Sequence, residues 1–591
     1  MQPEWPILFP APRLAEWSRG GAPVDLPVQE NLVSELPSQG FEIEITADEV
    51  AIRYADAAGL RYAKAVLTQI RSQSKDHLPR LRVQDWPDFP VRGYFLDISR
   101  DRVPTRATLE RLIELMTLAR INHFQIMIEH AFAYRDHEVV WKDASPFTPD
   151  DVRWLDKLCR ENGIELVPFQ QCFGHMERWL KHDDYRHRAE VPDGVKLSSG
   201  QLQPPSTLAA TAENATFALK LFGELLPNFT SRRLNIGCDE PVQLGKGVSS
   251  DAVEQRGKIA VYLEHVRRIA EPLLAQGYEV ILADDVLRTH PSGMRSLADG
   301  MTPMVWWYEA PKNSDQIETE SDDMRDSDIF DWWKKSVPGF RAITPPIADS
   351  GRPFWVAPGT STWLSLIGRI DNAMANLLDA AEVGLEQGAC GYLVCDFGDL
   401  GHLQPPSISY GPLMYGAAVS WCHSTNRDID VPRVLDQFVF GDRSGVLGSV
   451  FDAVGRLWKK SGYAPFNASA LQMALYPQFL RTLVGNGTPT KVTDVLGQLE
   501  DAVSRLGKAA PTCSDADIID QELRAAIRLA RNGGWRLLDH VGGKAPSQRE
   551  LNDDLTEAIA EQQEAWLRRS RPGGLDDSVR PLRELAAGSA V

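Results

Sequence analysis

The feature that most constrains the fold is a repeat in which a strand-like run is followed by a helix-like stretch, eight times between residues 91 and 430. The helix-like stretches are amphipathic and a dozen or more residues long, as in Thr105–Arg120 and Ala252–Leu274. Eight such repeats are typical of a (β/α)8 TIM barrel, an α/β fold with parallel strands inside a ring of helices. The predicted strands are Gly93–Ile98, Phe124–Glu129, Glu165–Gln170, Arg233–Gly237, Glu279–Ala283, Pro303–Tyr308, Phe354–Val356 and Gly391–Cys395.

Two smaller regions are predicted to flank the barrel. Before it, period-two alternation at Phe41–Ile45 and Val50–Tyr54 and helical spacing at Tyr62–Ile70 indicate a small α/β domain. After residue 430 the strand signal fades and helical spacing dominates. The chain is therefore divided into an α/β domain (1–90), a catalytic barrel (91–430) and a mostly helical C-terminal region (431–591). Helical patterns in the last region are Val450–Lys460, Val492–Leu506 and Asp517–Leu538.

Charge and cysteine content exclude several classes of protein. The 591 residues carry a net charge of -18 and no basic block, which argues against nucleic acid or an anionic membrane as partner. The N-terminus has no basic start followed by an apolar segment, and no long apolar run follows, so a cytoplasmic location is predicted. The seven cysteines include no CxxC pair and are expected to be reduced thiols.

In a TIM barrel the catalytic residues gather where the strands end, and Asp239-Glu240 follow the fourth predicted strand after a glycine turn. Two adjacent acids cannot ionise independently, so one is expected to keep its proton near neutrality, which suits cleavage of a glycosidic bond. Alone, such a pair is more often two solvated surface acids. Asp284-Asp285 form a weaker rival pair.

Aromatic residues at other strand ends favour a sugar ligand, because C–H groups on a sugar face stack on indole rings. Five aromatic residues fall at or just after predicted strand ends, although any one of them could instead fill the barrel core. They are Trp306, Trp307, Tyr308, Trp355 and Trp363.

Two further polar residues belong to the same set of strand ends. Arg92, at the start of the first strand, could hold two sugar hydroxyls or form a structural ion pair, and His175 after the third strand is either catalytic or a simple hydrogen bonder. The first strand lacks a His-x-His metal motif, and neither a phosphate-binding loop nor a dinucleotide fingerprint is present. We therefore expect neither a metal nor another cofactor.

Several segments together resemble the family 20 glycoside hydrolases, the β-N-acetylhexosaminidases, and in particular a bacterial branch of that family without secretion signals. The resemblance spans about residues 40 to 425. Its segments are Arg92-Gly-Tyr-Phe-Leu-Asp-Ile-Ser-Arg100, Glu129-His-Ala-Phe-Ala-Tyr134, Phe173-Gly-His-Met-Glu-Arg-Trp-Leu180, Ile236-Gly-Cys-Asp-Glu240 and Pro358-Gly-Thr-Ser-Thr-Trp363.

The resemblance implies an exo-acting, retaining enzyme in which the substrate's own 2-acetamido oxygen attacks the anomeric carbon. Asp239 would orient the acetamido group, and Glu240 would protonate the leaving oxygen and later deprotonate water. His175 would support the acids. The remaining implied ligands of the sugar are Arg92 for hydroxyls of the terminal ring, Trp307, Trp355 and Trp363 as walls of the acetamido pocket, Tyr308 as a donor, and Asp396 and Asp399 for further hydroxyls.

Three departures from the family pattern bear on the choice of sugar. Cys238 replaces a glycine, Gln170-Gln171 replace an acidic residue, and Phe397 stands where a tryptophan is expected. A glycosidase of altered sugar specificity and a non-catalytic sugar-binding relative therefore stay open as alternatives. The expected partner is a glycoside with a terminal N-acetylhexosamine, with a homodimer as one alternative for the assembly.

Overall fold

The computed structural model describes residues 5–197, 202–312 and 334–588. At its centre lies a closed barrel of eight parallel strands, in which each strand pairs with the next along the chain and the eighth pairs with the first. The barrel strands are Val91–Asp97, His123–Ile128, Glu165–Gln170, Arg233–Asn235, Glu279–Ala283, Met301–Trp306, Trp355–Ala357 and Gly391–Asp396. Each coincides with one of the eight predicted runs, so the TIM barrel prediction is confirmed.

Helices cover the outside of the barrel. Those of seven residues or more are Arg106–Leu118, Pro149–Glu161, Ala212–Leu225, Ser250–Arg256, Lys258–Ala275, Ile370–Gln387 and Tyr410–Trp421. The predicted helix over Ala252–Leu274 is in fact two helices, because Gly257 has a φ of 82° that interrupts the helical backbone. After the fifth strand comes the short helix Asp285–Thr289, and the described helices after the sixth, Phe340–Ile343 and Pro345–Ala348, are also short.

The N-terminal region forms a five-stranded sheet with one helix, Ala57–Gln73, packed on it. Two of its strands are the predicted ones, and the other three were not predicted. In sheet order the strands are Leu14–Pro23, His77–Asp85, Phe41–Ile45, Val50–Tyr54 and Val28–Leu32. The buried Asp85 carboxylate joins this sheet to the barrel by accepting hydrogen bonds from Arg120 at 2.7 Å and from the Trp421 indole at 2.9 Å.

The C-terminal region is mostly helical, as predicted, and its last helices return to the barrel. Its longer helices are Leu447–Gly455, Pro489–Leu506, Ala516–His540, Gln548–Arg569 and Leu575–Ala586. The Arg569 carbonyl accepts a hydrogen bond from the Thr105 N–H at 2.9 Å, and the Arg571 N–H donates to the Val103 carbonyl at 2.8 Å. Among the residues described, no helix combines the length and apolarity needed to cross a membrane.

Candidate active site

The carboxyl ends of the barrel strands surround a cavity of about 810 Å³, part of which is open to solvent. Asp239 and Glu240 line this cavity together with residues from most of the other strand ends. Six further residues named from the sequence also line it, and they are His175, Trp306, Trp307, Tyr308, Trp363 and Asp399. The predicted gathering of polar and aromatic side chains at one face of the barrel is therefore present.

The backbone that carries the two acids is tightly turned. Gly237, Cys238 and Glu240 have φ values of 63°, 65° and 45°, a left-handed region that is costly for residues with a Cβ atom. The turn is held by hydrogen bonds from the Gly237 N–H to the Asn235 side chain at 2.9 Å and from the Glu240 N–H to the Asp285 carboxylate at 3.0 Å. This turn presents both acids to the cavity.

His175 lies between the two acids. Its Nε2 atom is 3.2 Å from Asp239 Oδ2 and 3.4 Å from Glu240 Oε2. Burial and the charge of Arg100 lower the pKa of His175, but the neighbouring Asp239 and Glu240 carboxylates outweigh both and raise it well above its usual value, which favours the protonated imidazole. His175 therefore contacts the acids directly as a cation.

Asp239 is kept ionised by its neighbours. Burial raises its pKa, but the His175 imidazolium and the Gln171 amide, whose Nε2 donates to Asp239 Oδ1 at 2.9 Å, outweigh burial and hold the pKa below its usual range. Asp239 is therefore a stronger acid than usual, and the expected raised pKa is not found at this residue. A raised carboxyl pKa occurs instead at the rival acid Asp285, where burial and then the charge of Asp239 raise it to about 8.

Aromatic rings form one side of the cavity. Tyr308 packs edge-on against Trp363, with ring centroids 5.3 Å apart, and stacks on Trp306 at 5.2 Å. Phe397, at the position where the family pattern has a tryptophan, packs against both Tyr308 and Trp363 and also lines the cavity. Burial raises the pKa of the Tyr308 phenol well above its usual value, so its hydroxyl stays protonated and can donate.

The prediction for Arg92 is wrong. As the second residue of the first strand, Arg92 lies at the end of the barrel opposite the cavity, fully buried under the N-terminal domain. Its guanidinium donates to the Phe89 carbonyl at 2.7 Å and to the Tyr62 hydroxyl at 3.0 Å. Arg92 therefore has a structural role, as the alternative prediction held. It does not form the ion pair of that alternative, because its hydrogen-bond partners are mostly neutral oxygens.

Arg100, at the other end of the same motif, lines the cavity instead. Its Nη2 atom is 3.3 Å from His175 Nδ1, its Nε atom 3.4 Å from Asp399, and its Nη1 atom 3.5 Å from Glu129. Asp399 therefore reaches the cavity as predicted and shares the guanidinium of Arg100. The sequence did point to Arg100, because it lies two residues after the end of the first predicted strand.

Two other predicted contacts with the sugar are also wrong. Trp355 is the first residue of the seventh strand, so its ring packs at the closed end of the barrel, edge-on to His123 with centroids 4.9 Å apart. Asp396 ends the eighth strand, but its buried carboxylate accepts hydrogen bonds from Tyr94, Thr360 and Thr362, the last two at 2.8 and 2.9 Å. Asp396 therefore fixes the loop after the seventh strand.

The sequence analysis gave no role to Glu309, Phe466 or Asn467, although all three line the cavity. Glu309 was visible as an acid after the sixth predicted strand. Phe466 and Asn467 had no local signal, because they lie in the C-terminal region and reach the cavity only through the tertiary fold. In the described ranges no group of three or more His, Cys, Asp and Glu side chains is arranged to hold a metal ion.

A parallel eight-stranded barrel with a carboxylate pair beside an indole-lined cavity is an arrangement that glycoside hydrolases use. Residues 89–325 match the family model "Glycosyl hydrolase family 20, catalytic domain". Residues 89–325 therefore contain a catalytic domain of the glycosyl hydrolase family 20 type.

Curated hexosaminidases are similar to part of this chain. Hexosaminidase D of Homo sapiens is 28% identical over 234 residues, which cover 38% of this chain and 46% of the relative, and the protein of the same name from Bos taurus is 28% identical over 220 residues, or 35% and 60%. The chain thus spans about half the length of these relatives.

Two solved structures share the fold. The Flavobacterium johnsoniae chitobiase has a TM-score of 0.56 at 13% identity, covering 99% of this chain and all of that one. The β-N-acetylhexosaminidase of Bacteroides fragilis has a TM-score of 0.53 at 14% identity, covering 70% and 90%.

Proposed function

We propose that this protein is an exo-acting, retaining β-N-acetylhexosaminidase that removes terminal non-reducing β-linked GlcNAc or GalNAc from glycosides. The observation that carries the proposal is the placement of Asp239 and Glu240, joined by His175, at a cavity whose wall contains Trp307, Tyr308 and Trp363. The names of the relatives, hexosaminidase and chitobiase among them, support the same substrate class.

In the proposed reaction the acetamido oxygen of the substrate attacks the anomeric carbon as the bond to the leaving oxygen breaks. Glu240 donates its proton to that oxygen, and an oxazolinium intermediate forms. Asp239, ionised because of His175 and Gln171, accepts a hydrogen bond from the acetamido N–H and balances the positive charge. Water then attacks the anomeric carbon while Glu240 takes a proton from it, the bond between that carbon and the acetamido oxygen breaks, and the sugar leaves with its original configuration.

The remaining polar groups of the cavity are assigned to binding. Arg100 takes the role first expected for Arg92, and its guanidinium together with Asp399 binds hydroxyls of the terminal sugar. The Tyr308 hydroxyl donates to an acceptor oxygen of the substrate. Because attack occurs within one molecule, these contacts need only hold the acetamido oxygen near the anomeric carbon.

The proposal is tested with aryl β-glycosides of GlcNAc, GalNAc, glucose and galactose, assayed side by side with the wild type. We expect turnover of the two acetamido sugars only. Glu240→Gln should lower kcat by about 10² to 10⁴ for leaving groups that need a proton, and much less for an activated phenol. Asp239→Asn should lower kcat on acetamido sugars by about 10² to 10³.

The same assay separates the alternatives. Equal turnover of the glucoside and the N-acetylglucosaminide contradicts attack by the acetamido group and favours a glycosidase of different specificity. Binding of GlcNAc in a calorimeter without turnover of any substrate favours a sugar-binding relative.

A further inference from the structure

A wall of the cavity comes from outside the barrel. Phe466 and Asn467 belong to the C-terminal region, yet both line the cavity that contains Asp239 and Glu240. They also lie outside residues 89–325, the part of the chain that matches the family catalytic domain. The match to the family therefore assigns them no role.

Asn467 is fixed to the aromatic wall of the cavity. Its backbone N–H donates to Glu309 Oε1 at 3.1 Å, and its side-chain Oδ1 accepts a hydrogen bond from the Trp363 indole at 3.0 Å. Asn467 has a φ of 53°, a conformation that asparagine tolerates better than most residues. These contacts fix the position of the preceding residue, Phe466, relative to Trp363.

Phe466 extends the wall formed by Trp307. The two ring centroids are 5.7 Å apart with planes at 52°, and Phe466 is half-buried at the edge of the cavity. Packing of this kind is dense, so a change of one methylene group in either the wall or the ligand changes the fit. The ring of Phe466 thus limits the space beside the indole of Trp307.

We infer that Phe466 determines which N-acyl groups the substrate pocket accepts, with Asn467 as the positioning residue that holds it. The inference rests on the proposed function, because it takes Trp307 and Trp363 as walls of the pocket for the acetamido group. The preferred ligand is a β-hexosaminide with a short N-acyl chain, such as acetyl, and longer chains collide with the Phe466 ring.

The inference is tested with aryl β-glucosaminides that carry N-acetyl, N-propionyl or N-butyryl groups on the same leaving group. The wild type should prefer N-acetyl. Phe466→Ala should raise the ratio of kcat/KM for N-butyryl to that for N-acetyl by about tenfold or more, since one methylene group in a tight apolar pocket discriminates by at least that factor. Phe479→Ala, a half-buried phenylalanine of the same region outside the cavity, is the matched control and should leave the ratio unchanged.

Two further variants distinguish the proposed effect from misfolding. Phe466→Leu keeps apolar volume and should shift the ratio in the same direction by less. Asn467→Gly keeps the left-handed backbone but loses the acceptor for Trp363, and should also relax the selection, a change that general destabilisation does not produce. An unchanged ratio in Phe466→Ala, with N-acetyl turnover retained, overturns the inference and leaves the proposed function intact. Failure of the wild type to cleave the N-acetyl substrate overturns the proposed function itself.

Discussion

At the scale of single residues, the chemistry of Asp239 is set by the two side chains that touch it. His175 supplies a positive charge 3.2 Å away, and Gln171 supplies an amide donor at 2.9 Å. The family pattern has an acid near the position of Gln171. A neutral amide there adds a hydrogen bond to Asp239 without adding a negative charge that would raise its pKa.

This arrangement predicts the effect of His175→Gln on the pH profile. In the wild type Asp239 stays ionised at pH values at which an ordinary aspartate takes up a proton, because its pKa is lowered. Activity on an acetamido substrate should therefore persist to low pH. Without the imidazolium, burial dominates and raises the pKa of Asp239, so the acidic limb of kcat/KM should move to higher pH. His290→Gln, which changes a histidine outside the cavity, should leave the limb in place. An unmoved limb in His175→Gln would show that Asp239 does not depend on His175 for its charge.

The positions of the reactive residues could be predicted from the sequence better than those of the binding residues, and the reason is physical. Asp239 and Glu240 follow a strand, so any parallel barrel brings them to the catalytic face. Arg92 and Trp355 belong to the first residues of their strands, and each therefore lies at the opposite end of the barrel, about one strand length away. The predicted start at Gly93 already put Arg92 at the first end of its strand, so binding of a sugar by Arg92 did not agree with the predicted bounds. The seventh strand has only three residues, and its predicted start, Phe354, differs from the observed start by one residue, so the sequence did not resolve which end of the barrel Trp355 occupies.

At the scale of elements, the loops after the third and fourth strands approach each other closely at the acids. A Cβ atom on Gly174 would lie 2.2 Å from the Asp239 carbonyl oxygen. Since that contact is with backbone, no side-chain rotation relieves it. The loop that carries His175 can therefore pack against the turn that carries Asp239 only with glycine at position 174.

Gly174→Ala should consequently displace the Asp239 backbone and lower kcat/KM by about 10² or more, because misplacement by about 1 Å is enough for such a loss. Gly223→Ala is the control: an added Cβ meets nothing within 4 Å in the exposed part of Ala212–Leu225, and alanine favours the helix by about 0.5–1 kcal/mol. Kinetic assays and denaturant unfolding of both variants check the prediction. Wild-type kinetics in Gly174→Ala would contradict it.

Two of the three strands of the N-terminal sheet that were not predicted share a property. Leu14–Pro23 and Val28–Leu32, at the two edges of the N-terminal sheet, are mostly exposed on both faces and lack alternating apolar residues. Phe41–Ile45 and Val50–Tyr54 carry the buried apolar residues of the sheet and were predicted with the observed bounds. A period-two alternation of apolar residues indicates a strand with one buried face, and it is absent from edge strands that are exposed on both faces.

At the scale of the whole molecule, the C-terminal helices are part of the structure of the barrel. Trp566 is fully buried, and the Arg102 guanidinium lies 4.4 Å from the centroid of its ring. Arg102 follows the first strand and in turn donates to the Ser570 hydroxyl at 3.1 Å. This interface joins the first barrel loop to the second-last helix.

Trp566→Ala should destabilise the whole protein by about 3–5 kcal/mol, the usual cost of truncating a buried tryptophan. Because Trp566 does not line the cavity, kcat/KM at temperatures well below unfolding should stay close to the wild-type value. Denaturant unfolding with fluorescence detection measures the first quantity and steady-state kinetics the second. Trp566→Phe keeps an aromatic ring under Arg102 and should lose less stability. If the C-terminal helices unfolded alone, before the barrel, the prediction that both parts are destabilised together would be contradicted.

The contact of Asn467 with Trp363 and Glu309 has a consequence for the order in which the protein matures. During translation the barrel strands leave the ribosome before residue 467. They also leave it before the helix that ends at Arg569, whose carbonyl accepts a hydrogen bond from the Thr105 N–H. A nascent chain that stops after the eighth strand thus possesses Asp239 and Glu240 but has an incomplete cavity. We therefore expect the proposed hydrolysis only after the helix that ends at Arg569 has been made and has packed against the barrel.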